Sequence, residues 1–184
     1  ILAFVEKTSD QVRDIATARF ENGAWTAPNT VHADGWKIDA GCVAGPALAA
    51  SGDNAVVAWY SEAGGTPTLR LARSPNSGDR FFDPVTVDSG AAVLGRAAVG
   101  IDDGQVWVAW LREGAQGQVL MLARYAPDLA KPLQTLQVAT LRARGMAIFD
   151  GGLPGAELAE EKVVGGRLRA GPADTDRQQQ GTEK

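Results

Sequence analysis

His32, Asp34 and Trp36 alternate within Val31-His32-Ala33-Asp34-Gly35-Trp36-Lys37, where an imidazole, a carboxylate and an indole stand together. An imidazole two residues from a carboxylate can pass a proton or supply half of a metal site, because its charge changes near neutral pH. His32 is the only histidine and Cys42 the only cysteine, so no second imidazole or thiolate completes a metal site. No metal and no cofactor is therefore expected, and anchoring of a loop is the plainer role for His32 and Asp34. Trp36 can stack on a sugar ring or close the apolar base of the same loop. Cys42 has no base beside it in sequence and reads as a buried or stranded thiol rather than a nucleophile. A Gly-rich phosphate loop, a catalytic serine signature and an EF-hand are all missing.

Bulk properties narrow the remaining classes. The 184 residues carry 18 basic against 22 acidic side chains, a net charge of −4. Lys and Arg are dispersed, so no basic footprint for nucleic acid is present. No apolar run approaches the ~20 residues of a membrane-spanning helix. An apolar fraction of 45% is ordinary for a globular chain long enough to bury one core. Short apolar runs separated by Gly, Asn and Asp point to many short strands.

The elements that must position the candidates come from a repeat. GPALAASGDNAVVAWYSEAGGTPTLRLARS begins at Gly45, and GRAAVGIDDGQVWVAWLREGAQGQVLMLARY begins at Gly95. Val57-Ala58-Trp59 matches Val108-Ala109-Trp110, and Leu71-Ala72-Arg73 matches Leu122-Ala123-Arg124, both 51 residues apart. Ala3-Phe4 and Ala18-Arg19 fit the same pattern earlier, and Gly145-Met146-Ala147-Ile148 fits it later. Each unit reads as four strands. First strands are predicted at 45–51, 95–101 and 145–150, and second strands at 1–6, 54–60 and 106–112. Third strands are predicted at 12–20, 67–74 and 118–125, and fourth strands at 25–32, 83–88 and 132–139. Four-stranded units repeated at this length are the signature of β-propeller blades.

Between the third and fourth strands of the second unit lies SPNSGDRF, with Ser74, Asn76, Gly78 and Phe81 spaced as Ser-x-Asn-x-Gly-x-x-Phe. This spacing resembles the Asp-box of sialidase-type propellers, a turn that the resemblance makes structural and remote from chemistry. VRDIATARFENGAWTAPNTVHADGWKI, followed by GPALAA, is also similar in phrasing to bacterial sialidase-like repeat proteins. The resemblance implies an all-β fold over about 1–150, a partial propeller with about three four-stranded blades of a six-bladed ring. The blades are expected at about 1–32, 45–88 and 95–139, with another starting at 145. Residues 151–184 hold no aromatic residue and are expected to be flexible or weakly helical. The chain is accordingly expected to be a fragment of a longer ring, or to leave the family's reading frame near 145–150.

In such a ring the starts of the first strands meet the ligand-binding face. That places Arg96 and Arg144 there, with His32, Asp34, Trp36, Lys37 and Asp39 on the longest loop and Arg112 on another; Glu6, Glu62 and Glu113 share one repeat position, which points to a structural or solvated role. Sialidases use arginines at such places to grip a carboxylate, since a guanidinium fork bonds two oxygens at once. Pro46 occupies the matching place in the preceding unit, so Arg96 is not a requirement of the repeat. Pairing with a neighbouring acid is its alternative role. The resemblance also implies three arginines, a Tyr activated by a Glu, and an Asp acid. Only Tyr60 and Tyr125 are present, neither expected at the channel, and the family's Arg-Ile-Pro motif is absent.

The sequence thus leads to a non-catalytic module binding a glycan, an acidic ligand or a protein partner. The alternative is a fragment of an exo-acting, sialidase-like glycoside hydrolase whose other catalytic residues lie outside this chain. Self-association through open sheet edges is a further expectation. The resemblance leans toward a periplasmic, cell-envelope or secreted location.

Overall fold

The computed structural model describes residues 1–9, 11–38 and 45–141. The expected strand at 145–150, the tail at 151–184, and Asp39, Cys42 and Arg144 lie outside them. The described chain is all-β, with strands and turns and no helix. Its elements are β1 (Leu2–Ser9), β2 (Val12–Ala18), β3 (Phe20–Glu21), β4 (Ala24–Trp25), β5 (Asn29–Lys37), β6 (Ala47–Ser51) and β7 (Asn54–Ser61). They continue as β8 (Thr68–Ser74), β9 (Val85–Ser89), β10 (Val93–Asp102), β11 (Gln105–Gly114), β12 (Gly117–Tyr125) and β13 (Pro132–Leu141).

The strands form antiparallel sheets in the orders β1-β2-β5, β6-β7-β8-β9 and β10-β11-β12-β13, with β3-β4 as a separate hairpin. None of these sheets closes on itself. Sequential strands pair because their connections are tight. Asn22-Gly23 and Asp103-Gly104 take positive φ at both central positions, the backbone that matches the twist of a two-residue hairpin. Corresponding strands of the second and third sheets keep the 51-residue spacing: Trp59 pairs with Arg70, and Trp110 pairs with Met121.

Strand alternation decides what each face of the middle sheet touches. Val56, Ala58, Leu69 and Leu71 face the third sheet and pack with Val93, Val106, Val108 and Trp110. Val57, Trp59 and Ala72 face the other way, toward Ile15 and Val31 of the first sheet. β7 is therefore apolar on both sides, and Ala55 to Trp59 are all buried. β10 lies against β6, β7 and β8 and carries the contact between the second and third sheets. At the other extreme β13 is open, with Leu133, Leu136, Val138 and Leu141 exposed.

One strand departs from expectation. The last strand of the first sheet was expected at 25–32, but β5 runs from Asn29 to Lys37. Trp25 instead belongs to the β3-β4 hairpin, where it stacks edge-on against Phe20 and is exposed. His32, Asp34, Trp36 and Lys37 thus stand on a strand, not on a loop. The cause is a bulge. Arg13 pairs with Trp36 and Ile15 with His32, so Ala33, Asp34 and Gly35 together oppose Asp14. Asp14 fills the gap: its carboxylate accepts from the Gly35 N–H at 2.9 Å and from the Thr8 hydroxyl at 3.1 Å.

Candidate functional site

Antiparallel pairing sends the end of β7 and the start of β10 to one end of the sheets, and the turn after β8 to the other. At the first of these ends Trp36 meets Tyr60, with ring centroids 5.7 Å apart and nearly perpendicular planes. Gly95 lies on Tyr60 so closely that a Cβ there would stand 2.8 Å from the tyrosine Cβ. Only glycine fits, and it takes φ +71. Arg96 follows with φ 51, a left-handed conformation rare for a side chain of its size. Pairing jumps from Gly95–Leu111 to Ala98–Ala109, so Arg96 and Ala97 oppose the single residue Trp110. This bulge turns Arg96 outward. The residue is exposed, and among the described residues its guanidinium has no ion pair or hydrogen bond. A strained, exposed arginine without a partner among the described residues, following a glycine packed on an aromatic ring, is an arrangement that can receive a carboxylate.

Beside it the Tyr60 hydroxyl donates to the Glu62 carboxylate in a short contact. Partial burial, then the hydrogen bond and the charge of Glu62, push the Tyr60 phenol up to about 12. The phenol therefore stays protonated through the neutral range. Tyr60 was expected to end a second strand, off the channel; the structure packs it against Gly95, next to Arg96.

Asp34 faces inward. Its side chain is 3% exposed, accepts from the Trp59 indole N–H at 2.6 Å, and meets His32 Nδ1 at 2.8 Å. Arg70 Nε lies 3.4 Å from the same carboxylate. That nitrogen is buried without a directed hydrogen bond, so its contact is one of charge. The His32 ring rests tilted against Trp59, 6.1 Å between centroids. The sequence singled out His32, Asp34 and Trp36 together, and the structure divides them: Asp34 and His32 turn toward Trp59, whereas Trp36 meets Tyr60.

The same indole–carboxylate bond recurs at the next boundary, where Arg112 was a candidate and Asp88 was not. Trp110 donates its indole N–H to Asp88 at 2.7 Å, and Arg112 Nε lies 3.2 Å from that carboxylate. Asp34 and Asp88 are 54 residues apart, the same interval as Arg19 and Arg73, which is the signal that pairs them. Glu113 is exposed on β11 and its N–H donates to Ala92 O at 2.7 Å, while Glu6 pairs across to Asp14.

At the opposite end, Ser74 Oγ donates to Asn76 Oδ1 at 2.9 Å and accepts from the Gly78 N–H at 2.9 Å. Asn76 Oδ1 also accepts from the Arg80 N–H at 3.0 Å, and Phe81 packs on the Trp59 cluster. The first sheet grips this turn: Asn29 Nδ2 donates to Gly78 O at 2.6 Å and Arg19 to Ser77 O at 3.0 Å. Among the described residues no group of three His, Cys, Asp or Glu side chains is placed to hold a metal, and no helix is long and apolar enough to cross a membrane.

Comparison with protein-family models, curated proteins and solved structures finds no match for this chain.

Proposed function

We propose that this chain is part of a sialidase-like β-propeller and acts as a binding module, taking a carboxylated glycan or another acidic ligand without cleaving it. Arg96 carries the reading. It is an exposed charged side chain in a left-handed backbone, it follows the glycine that packs on Tyr60 of the Trp36–Tyr60 pair, and it has no acid of its own among the described residues. The guanidinium supplies the fork for the carboxylate, and the half-buried Trp36 supplies an apolar ring face for a sugar. The blade reading is supported by two four-stranded meanders at the 51-residue interval and by the hydrogen-bonded Ser74–Asn76–Gly78 turn. Residues 1–141 would then supply three blades, the first through β1, β2 and β5. A periplasmic, cell-envelope or secreted location belongs to the same proposal. So does pairing with a protein or a second copy through the sheet edges at β1 and β13. Glycan-array binding by the chain and by Arg96→Ala tests it. Binding confined to carboxylated glycans and lost in the variant is expected; equal binding by both would sink it.

A second reading rests on Tyr60 and Glu62. A tyrosine hydrogen-bonded to a glutamate beside an arginine resembles the nucleophile pair of an exo-acting, sialidase-like hydrolase whose remaining catalytic residues lie outside this chain. Proton transfer from the phenol to Glu62 would have to accompany attack, because the free phenol is a weak nucleophile. Release of a fluorescent alcohol from a sialoside, abolished by Tyr60→Phe and by Arg96→Ala, would establish this reading over the first.

A further inference from the structure

Three arginines occupy one repeat position, and their partners differ. Arg19, directly after β2, donates to Glu21 at 3.2 Å and to Ser77 O at 3.0 Å, and it pairs with Asp79. Arg124 on β12 donates to Gln105 Oε1 at 3.0 Å. Arg73 on β8 has no hydrogen bond or ion pair from its guanidinium among the described residues; it lies over the Phe82 ring, 4.4 Å from the centroid. The counterpart of Gln105 in its unit is Asn54, one methylene shorter, and no bond from Arg73 to it forms. Arg73 and Asn54 instead border a cleft of about 190 Å³ between the second and third sheets, with Val56, Ile101, Val106 and Pro127 as its apolar walls.

We propose that this cleft is a ligand site for a small monocarboxylate with an apolar body. It lies at the Ser74 turn, the opposite end of the sheets from Arg96, and does not depend on the role of Arg96. Stacking on Phe82 occupies one face of the guanidinium and leaves its N–H edge for two carboxylate oxygens. The walls suit a ring, since an apolar cavity of roughly 150 Å³ accepts benzene. No acidic side chain lines the cleft; the neighbouring Asp53 accepts from the Ser77 hydroxyl at 3.0 Å instead. The apolar walls bury the ring of such a ligand but would leave the remaining oxygens of phosphate without donors.

The test is titration of benzoate, benzyl alcohol and inorganic phosphate into the full chain, followed by calorimetry and by amide shifts. In the Arg96→Ala chain, where the acidic-ligand site proposed above is removed, benzoate is expected to saturate one site per chain, and adding Arg73→Gln is expected to weaken it about tenfold. Benzyl alcohol and phosphate are each expected to bind at least about tenfold more weakly than benzoate. In the same chain Arg73→Lys keeps the charge without the fork, and its affinity is expected between those with Arg73 and with Arg73→Gln; it replaces the glutamine variant should that one fail to fold. Absence of saturable benzoate binding overturns the proposal, as does equal binding of benzyl alcohol or phosphate. Undiminished affinity on adding Arg73→Gln, or Arg73→Lys where that variant stands in for it, overturns it as well.

Discussion

The indole nitrogen of Trp59 and the carboxylate of Asp34 sit 2.6 Å apart across the boundary between the first and second sheets. The bond joins the last strand of one unit to the second strand of the next, and Trp110 with Asp88 repeats it at the following boundary. A buried indole N–H requires an acceptor, and a buried carboxylate requires donors and a cation; each satisfies the other, with Arg70 or Arg112 completing the charge balance. The clasp therefore fixes how neighbouring sheets register as well as how strongly they adhere.

Replacing Asp34 by Ala strips the acceptor from Trp59 and the counter-charge from Arg70. The expected loss is about 2 kcal/mol in urea unfolding, with a smaller loss for Asp34→Asn, which keeps an acceptor oxygen. Asp88→Ala is expected to cost a similar amount, and the double variant to lose the sum, because the two clasps share no partner. A change below about 0.5 kcal/mol for either alanine variant would show that the clasp is incidental.

Variants at Gly95 and Arg96 distinguish a stability role from the proposed binding role. Gly95→Ala puts a methyl group against Tyr60 at a positive φ and is expected to cost about 2 kcal/mol or more. Arg96→Gly removes the side chain from a backbone conformation that glycine accepts readily, so its unfolding free energy is expected within about 1 kcal/mol of wild type. That variant is also expected to lose carboxylated-glycan binding. A strongly destabilised Arg96→Gly would mean that the arginine holds the fold.

Tyr60 makes a prediction in alkali. The folded phenol titrates near 12, above its ordinary value, so the unfolded chain releases this proton at a lower pH than the folded one. Its contribution to stability is whole below about pH 10 and declines as pH rises through about 12. Spectrophotometric titration of phenolate is expected to show late ionisation in the folded chain. Glu62→Gln is expected to move it down but not fully back, because burial is the larger cause. Tyr125 is also raised, by burial first and then by Asp88, so Tyr125→Phe isolates the Tyr60 signal.

Ser74 is 1% exposed and supplies the acceptor for the Gly78 N–H. Ser74→Ala is expected to cost about 1–3 kcal/mol, the penalty of a buried donor left without a partner. Ser77→Ala, which removes a solvent-exposed bond to Asp53, is expected to change stability by less than about 0.5 kcal/mol. Equal effects would remove the special standing of Ser74 in the turn.

The strand framework was legible because Trp59 and Trp110, and Arg73 and Arg124, recur at one interval with turn residues between them. Ala55 to Trp59 form an unbroken apolar run, and such a run, rather than period-two alternation, is what a strand covered on both faces requires. Ala33-Asp34-Gly35 was misread as a loop because a bulge places polar residues and a positive φ inside a strand, and local pattern alone cannot separate the two. Asp88 escaped notice for a different reason. Its partner Trp110 lies 22 residues away, and an inter-sheet hydrogen bond leaves no local periodicity. Arg96 was visible as an exception to the repeat, since Pro46 stands in its place. Tyr60 was not, because its meeting with Gly95 depends on how β10 lies across β7.

β7 is shared property: Val56 and Ala58 belong to one apolar cluster, Val57 and Trp59 to the other. Opening either boundary wets one side of this strand while the other still holds it, so its amides become free to trade deuterium only when both clusters come apart. β7 should therefore be the slowest-exchanging element of the chain, and β13, bare on its outer flank, among the fastest.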